Sequence, residues 1–241
     1  EHENSVCFLA TNNALSDDMA QVRDVLLVAS DKHVRFLLNH GYSVIESVAP
    51  KYDLALAVNA LMVPAPKVEI HETAIIGPDV IIGKDVAIGP YCVLDGLIKI
   101  GDGCILGASN ILKNDVTLDD GVRIHNGAVL GEDAYSFGFG LEGEIVRFPC
   151  IGGVQIGKNV EIGNNVAISR GILQNTILCD SSRVNCLANI GQTVIVKERS
   201  LIMAQCEIGG RVQIGKSCWI GQSAVVRQGI CIADRSMVGA G

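Results

Sequence analysis

The sequence predicts an all-β chain: a parallel β-helix over residues 67–241 behind a small α/β domain at residues 1–66. The main observation is a six-residue repeat whose starts are aliphatic. They run Ile70, Ile76, Ile82, Ile88, Leu94, Ile100, Leu106, Leu112, Leu118, Ile124 and Leu130 without a slip. The phase resumes at Ile156, Ile162 and Ile168, and again from Leu178 through Ile202 and Ile220 to Val238. A period of six is a β-helix signature, with one short strand and one corner per hexad. Composition is the second observation. Aromatic residues make up 4% of the chain, which suits thin layers of Ile, Val and Leu. The 27 glycines would each cost a helix about 1 kcal/mol, and apolar spacing of three and four is absent from the repeat. Glycine at position two of a hexad is expected to relieve the backbone at the turn.

The third observation is that residues 1–66 ignore the repeat. Val6–Leu9 is a short apolar run, and Asp24–Ala29 predicts a buried strand. Ser30 is read as the N-cap of a helix carrying Val34, Phe36, Leu37 and Leu38, which Gly41 ends. Ser43–Ile45 reads as a further strand and Lys51–Met62 as an amphipathic helix, before a stiff break at Pro64-Ala65-Pro66. Within the repeat, three hexads make a triangular coil of 18 residues, so side chains 18 apart stack. Residues 136–155 break the phase with Ser136-Phe137-Gly138-Phe139-Gly140 and a third phenylalanine, Phe148. Such an excursion marks a functional face or a hairpin that packs on a neighbouring subunit. Ten residues separate Ile168 from Leu178 where two hexads predict twelve, so a shortfall of two pushes the corner holding Arg170 out of line.

A formal charge of -7 without a basic stripe argues against nucleic-acid and membrane-surface binding. No signal-peptide pattern and no apolar run of 18 residues occur, so a cytoplasmic location without stable membrane insertion is expected. Nine cysteines include no CxxC pair, and no metal is expected. Cys92, Cys104, Cys206 and Cys218 fall at position five of their hexads, where a small buried thiol serves as core filler.

No Ser/His/Asp elbow or phosphate-cradling loop is present. Of the five histidines, His2 lies near the start, His33 and His40 belong to the predicted helix, and His71 begins the coils. His125 stands apart because it replaces glycine at position two within Arg123-Ile124-His125-Asn126-Gly127. Such a residue can deprotonate an amine, or simply hydrogen-bond to the next coil. Asp95, Asp119 and Asn185 share position two, and Asp95 is the better acidic candidate because it interrupts consecutive Ile-Gly hexads.

Several longer stretches carry a family resemblance. They are Ile124-His125-Asn126-Gly127-Ala128-Val129-Leu130-Gly131, then Phe137-Gly138-Phe139, then Ile162-Gly163-Asn164-Asn165 through Ile168-Ser169-Arg170-Gly171. Over about 170 residues the chain resembles the left-handed β-helix acyltransferases. Among them it is most similar to the UDP-3-O-acylglucosamine N-acyltransferases of lipid A synthesis. The resemblance implies a left-handed β-helix, a homotrimer with sites between subunits, and acylation of the amine of a nucleotide-linked sugar. It departs where the family carries its base. The Asp and His positions of that motif align with Asn185 and Gln192, and an amide has no useful basicity. The family's Asp-Arg-Gly has become Ser169-Arg170-Gly171, the N-terminal domain is shorter, and the helical tail that meets acyl carrier protein is not matched.

The pattern resembles a side branch that uses acyl-CoA on dTDP- or UDP-linked amino sugars for surface polysaccharides. The expectation is therefore an N-acyltransferase with coenzyme A as cosubstrate that can work without a protein general base, a neutral sugar amine attacking the thioester while positioning supplies part of the barrier. His125 and Asp95 are the catalytic candidates. Asn185, Gln192, Phe137, Phe139 and Arg170 are substrate-binding candidates, on a nucleotide-sugar side that includes the N-terminal domain. Lys216, Arg227 and Arg235 are expected near the CoA phosphates, with Trp219 over an adenine or at an interface. Two alternatives stand beside this reading. One is the lipid A step itself with acyl carrier protein; the other is a non-catalytic β-helix derived from the enzyme.

Overall fold

The computed structural model describes residues 5–8, 25–39 and 41–241, so His2 and His40 lie outside the described residues. The chain divides into two compact units, Glu1–Ala65 and Pro66–Gly241. In the first, β1 (Ser5–Phe8), β2 (Val25–Ala29) and β3 (Ser43–Glu46) form a parallel sheet in that order. Two helices follow β2 and β3: α1 (Asp31–Asn39) and α2 (Pro50–Leu61). Leu27, Ala29 and Leu37 are the small buried core; Phe36 and Leu38 are exposed. Gly41, in the left-handed region, closes α1: the amides of Gly41 and Tyr42 donate to the carbonyls of Leu38 and Leu37. The predicted cap at the other end is not made. Ser30 precedes the helix, but its hydroxyl is buried with no hydrogen-bond partner among the described residues.

The second unit is a left-handed parallel β-helix of three faces. Register shows the coil directly: Ile75 pairs with Val93, Ala87 with Ile105, and Arg183 with Leu201. Face one is an eight-stranded sheet running from Ala87–Ile88 through Arg123–Ile124, Glu161–Ile162 and Arg183–Val184 to Met237–Val238. Faces two and three join into one fourteen-stranded sheet, because Val93–Ile100 and Ile111–Leu118 run unbroken across the corner between them. A strand and a corner per hexad therefore does not hold for these two coils. Inside, the hexad starts stack in columns such as Leu106, Ile124, Ile162, Val184, Ile202 and Ile220, each at most 2% exposed. Full burial of such a side chain stabilises by about 1.5–3 kcal/mol.

Glycine works differently from expectation. The left-handed conformation falls at position four, held by Asp85, Ser109, Asn165, Ser181 and Gln205 among others, and by Gly103 and Gly121. The position-two glycines answer to close approach. A Cβ at Gly101 would lie 2.7 Å from the Asp119 carbonyl carbon, and one at Gly89 would lie 2.7 Å from that of Gly107. The position-five thiols do more than fill space: Cys92, Cys104, Cys206 and Cys218 are buried, and each donates to the position-two carbonyl one coil on. Asn110 and Ser200 serve the same place with stronger donors.

Both irregularities fall at the corner between faces two and three. Partners that are normally 18 residues apart are 38 apart across the first insertion. Most of that insertion is a hairpin, Phe137–Phe139 antiparallel to Ile145–Arg147. The second coil spans 22 residues, with Ile156 pairing Leu178 and Ile162 pairing Val184. This corrects the predicted shortfall of two: the spacing of ten is one hexad with four residues added. Periodicity alone does not separate the two counts, whereas register does.

Candidate functional site

The corner after face one carries a groove of about 380 Å³. Two stacked columns build it. Position two contributes His125, Gly163, Asn185 and Met203 on successive coils; the outward residues of face one contribute Glu161, Arg183, Leu201 and Trp219. Coils rise about 4.8 Å each, so His125 and Asn185 stand roughly 10 Å apart along the axis. Gly163 lines the groove between them and packs closely on the next coil: a Cβ there would come within 2.6 Å of the Cys186 amide nitrogen. The groove has a polar half, with His125, Glu161, Arg183, Asn164 and Asn185, and an apolar half, with Leu201, Met203 and Trp219.

His125 Nε2 lies 2.8 Å from Glu161 Oε1, and Arg183 Nε lies 3.4 Å from Glu161 Oε2. The three side chains are 41–43% exposed, so solvent reaches them. A carboxylate only accepts hydrogen bonds, so a neutral His125 ring that bonds to Glu161 Oε1 does so with its proton on Nε2. Nδ1 then presents its lone pair. The backbone beneath is fixed on both sides: His125 N donates to Ile162 O at 2.8 Å, and buried Asn110 Nδ2 donates to His125 O at 2.7 Å. This arrangement can take a proton from an amine held in the groove.

The structure thus brings together three of the sequence candidates, His125, Asn185 and Trp219. Asp95 does not join them. It sits at the corner after face two, 64% exposed and 3.8 Å from Lys113 Nζ, so it is no partner for His125 in the same chain. Gln192 also follows face two, where its side chain crowds Gly210: a Cβ on that glycine would lie 2.5 Å from Gln192 Nε2. Arg170 is mostly buried and closes the base of the excursion, its Nε donating to Gly152 O at 2.6 Å and its NH1 4.0 Å from Asp133 Oδ1. Phe137 is held in the hairpin by Tyr135 edge-on at 4.7 Å and by Arg147 at 5.6 Å, whereas Phe139 is 76% exposed. Lys216 and Arg235 share the corner after face three, where Arg235 N donates to Lys216 O at 2.7 Å; Lys216 Nζ pairs with Glu198 at 3.4 Å. Arg227 follows face two and stands apart from them. Among the described residues, no group of three or more His, Cys, Asp or Glu is placed to hold a metal ion, and no helix is long and apolar enough to cross a membrane.

Glu161 and Arg183 were missed. Their signal was in the repeat: once Ile124, Ile162 and Val184 are taken as hexad starts, the residues before them are Arg123, Glu161 and Arg183. That column alternates in charge.

Comparison with known proteins follows this geometry. The hexapeptide repeat of succinyl-transferase matches residues 74–108, 97–132, 146–170 and 211–241. A UDP-3-O-acylglucosamine N-acyltransferase from Delftia acidovorans is 38% identical over 117 residues, covering 48% of this chain and 34% of that protein. One from Rickettsia prowazekii is 44% identical over 104 residues, covering 43% and 30%. A probable mitochondrial UDP-3-O-acylglucosamine N-acyltransferase from Arabidopsis thaliana is 33% identical over 126 residues, covering 52% and 41%. The chain thus matches 41% or less of the length of these curated relatives. Among solved structures, the UDP-N-acetylglucosamine acyltransferase from Campylobacter jejuni superposes with a TM-score of 0.63 at 20% identity, over 71% of this chain and 65% of that one. The UDP-N-acetylglucosamine O-acyltransferase from Moraxella catarrhalis gives 0.56 at 25% identity, over 71% and 65%.

Proposed function

We propose that this chain, a left-handed β-helix protein built from hexapeptide repeats, is an N-acyltransferase that moves an acyl group from acyl-CoA to the amine of a dTDP- or UDP-linked amino sugar. The observation that carries the reading is the His125–Glu161 pair in a groove with one polar and one apolar half. The printed names of the relatives, acyltransferases acting on nucleotide-linked glucosamine, support the reaction class. In the reaction, the sugar amine attacks the thioester carbonyl. The N–C bond forms, the C–S bond breaks, His125 Nδ1 takes the proton from nitrogen, and that proton leaves with the CoA thiolate. Asn185 orients the sugar in this reading, which its position in the lining of the same groove supports. His125 does this without Asp95 of its own chain, which lies at another corner.

The test is thiol release from short-chain acyl-CoA in the presence of a panel of dTDP- and UDP-linked amino sugars. Release that depends on one acceptor amine supports the reading. No release with any acceptor, together with binding of an amino-sugar nucleotide, would mark a non-catalytic binding protein instead. The second reading, acyl transfer from acyl carrier protein onto UDP-3-O-acylglucosamine, is favoured by the relatives' names. It is tested by exchanging the donor in the same assay.

A further inference from the structure

We propose that Glu161 and Arg183 are positioning residues that fix the tautomer of His125, so that Nδ1 is the nitrogen facing the acceptor amine. The inference rests on the reading of His125 as the base. Glu161 uses both oxygens: Oε1 meets His125 Nε2 at 2.8 Å and Oε2 faces Arg183 Nε at 3.4 Å. Arg183 is itself anchored to backbone, its NH1 donating to Asn159 O at 2.5 Å and to Ser182 O at 3.1 Å. A planar guanidinium held at two carbonyls presents its remaining N–H in a fixed direction. Glu161 therefore cannot turn away from the histidine without abandoning the arginine. In the register it stands between Arg123 and Arg183, so the carboxylate has a cationic neighbour on each side. A carboxylate that accepts a hydrogen bond from Nε2–H sets the tautomer, as an orienting partner does for other basic histidines.

The pairs are solvent-exposed, and such pairs add little to stability. Their removal should change the histidine and leave the fold. The experiment is long-range ¹H–¹⁵N correlation of the histidine rings at pH 8.5, with the His125 signals assigned by their loss in His125→Gln. Wild type is expected to show Nε2 protonated and Nδ1 bare. Glu161→Ala should shift the ring toward a mixture of tautomers, and Arg183→Ala should do so less, with melting temperatures close to wild type. In the transferase assay, Glu161→Ala should lower kcat by about tenfold or more with KM nearly unchanged. A wild-type ring protonated on Nδ1, or a tautomer that ignores Glu161→Ala, overturns the proposal. If the tautomer responds as expected and wild type transfers no acyl group, the positioning stands and the functional reading falls.

Discussion

His125 and Gln192 divide the question of the base between them. Gln192 occupies the place where the resemblance expects a base, yet an amide offers no proton acceptor of useful strength. Its side chain lies over Gly210 at a different corner from the groove. Gln192→Ala is therefore expected to keep substantial activity. His125→Ala should lose about a hundredfold in kcat with KM little changed, since a general base is worth ~10²–10⁴ in rate. Asp95→Ala should lose less than about tenfold. If His125→Ala also loses less than tenfold, the amine attacks unaided, and kcat/KM should rise with pH as the substrate loses its proton. Abolished turnover in Gln192→Ala, with assembly and ligand binding intact, would refute a vacant base position. His125 was legible in the sequence because an imidazole stands at position two, where many hexads carry glycine. Glu161 was not, because 36 residues and an inserted hairpin separate it from the histidine it meets. Only the register across that insertion makes them neighbours.

At the level of the hexad, strand positions were legible because the core is a period of aliphatic residues and nothing else competes. The corner was misread because glycine serves two purposes. Gly103 takes φ +67 with nothing within 4 Å of an added Cβ, whereas a Cβ at Gly101 would meet Asp119 and Asp120 backbone at 2.7 Å. Gly103→Ala should then cost about 1–2 kcal/mol, the usual penalty for an L side chain in the left-handed region. Gly101→Ala should cost more, because the obstructing atoms are backbone of the next coil. Urea unfolding with an unchanged slope separates the two. The thiols give a second check. Burial pushes the Cys92, Cys104 and Cys206 thiols above their ordinary value, outweighing the backbone hydrogen bonds that act the other way. A raised thiol holds less thiolate at any given pH, and thiolate is the reactive form. Iodoacetamide at pH 8.5 should therefore modify exposed Cys231 while these three stay unmodified until the protein is unfolded. Early loss of any of them would contradict the packing described here.

At the level of the whole molecule, the candidates fall at different corners of one triangular coil. His125 and Asn185 follow face one, on which Trp219 points outward; Arg170, Gln192 and the hairpin follow face two. A site that used both sets would require a second copy, as in the homotrimer with parallel axes that the resemblance implies. The apolar residues left outside agree: Trp219 is 41% exposed, Met237 78%, Phe139 76% and Val225 75%. Light scattering should give three times the chain mass at micromolar concentration, and a monomer would remove any site that needs both corners. Lys216 and Arg235 meet at the corner after face three, although Lys216 is partly engaged by Glu198, while Arg227 stands at another corner. Calorimetry should show CoA binding that weakens when Lys216 and Arg235 are both changed to Ala, and that ignores Arg227→Ala. Charge-assisted contacts are worth about 1.5–3 kcal/mol each before solvent screening, so the double change should cost tenfold or more in affinity. If CoA does not bind and acyl carrier protein does, the donor proposed here is wrong, and the lipid A reaction becomes the better account of the same groove.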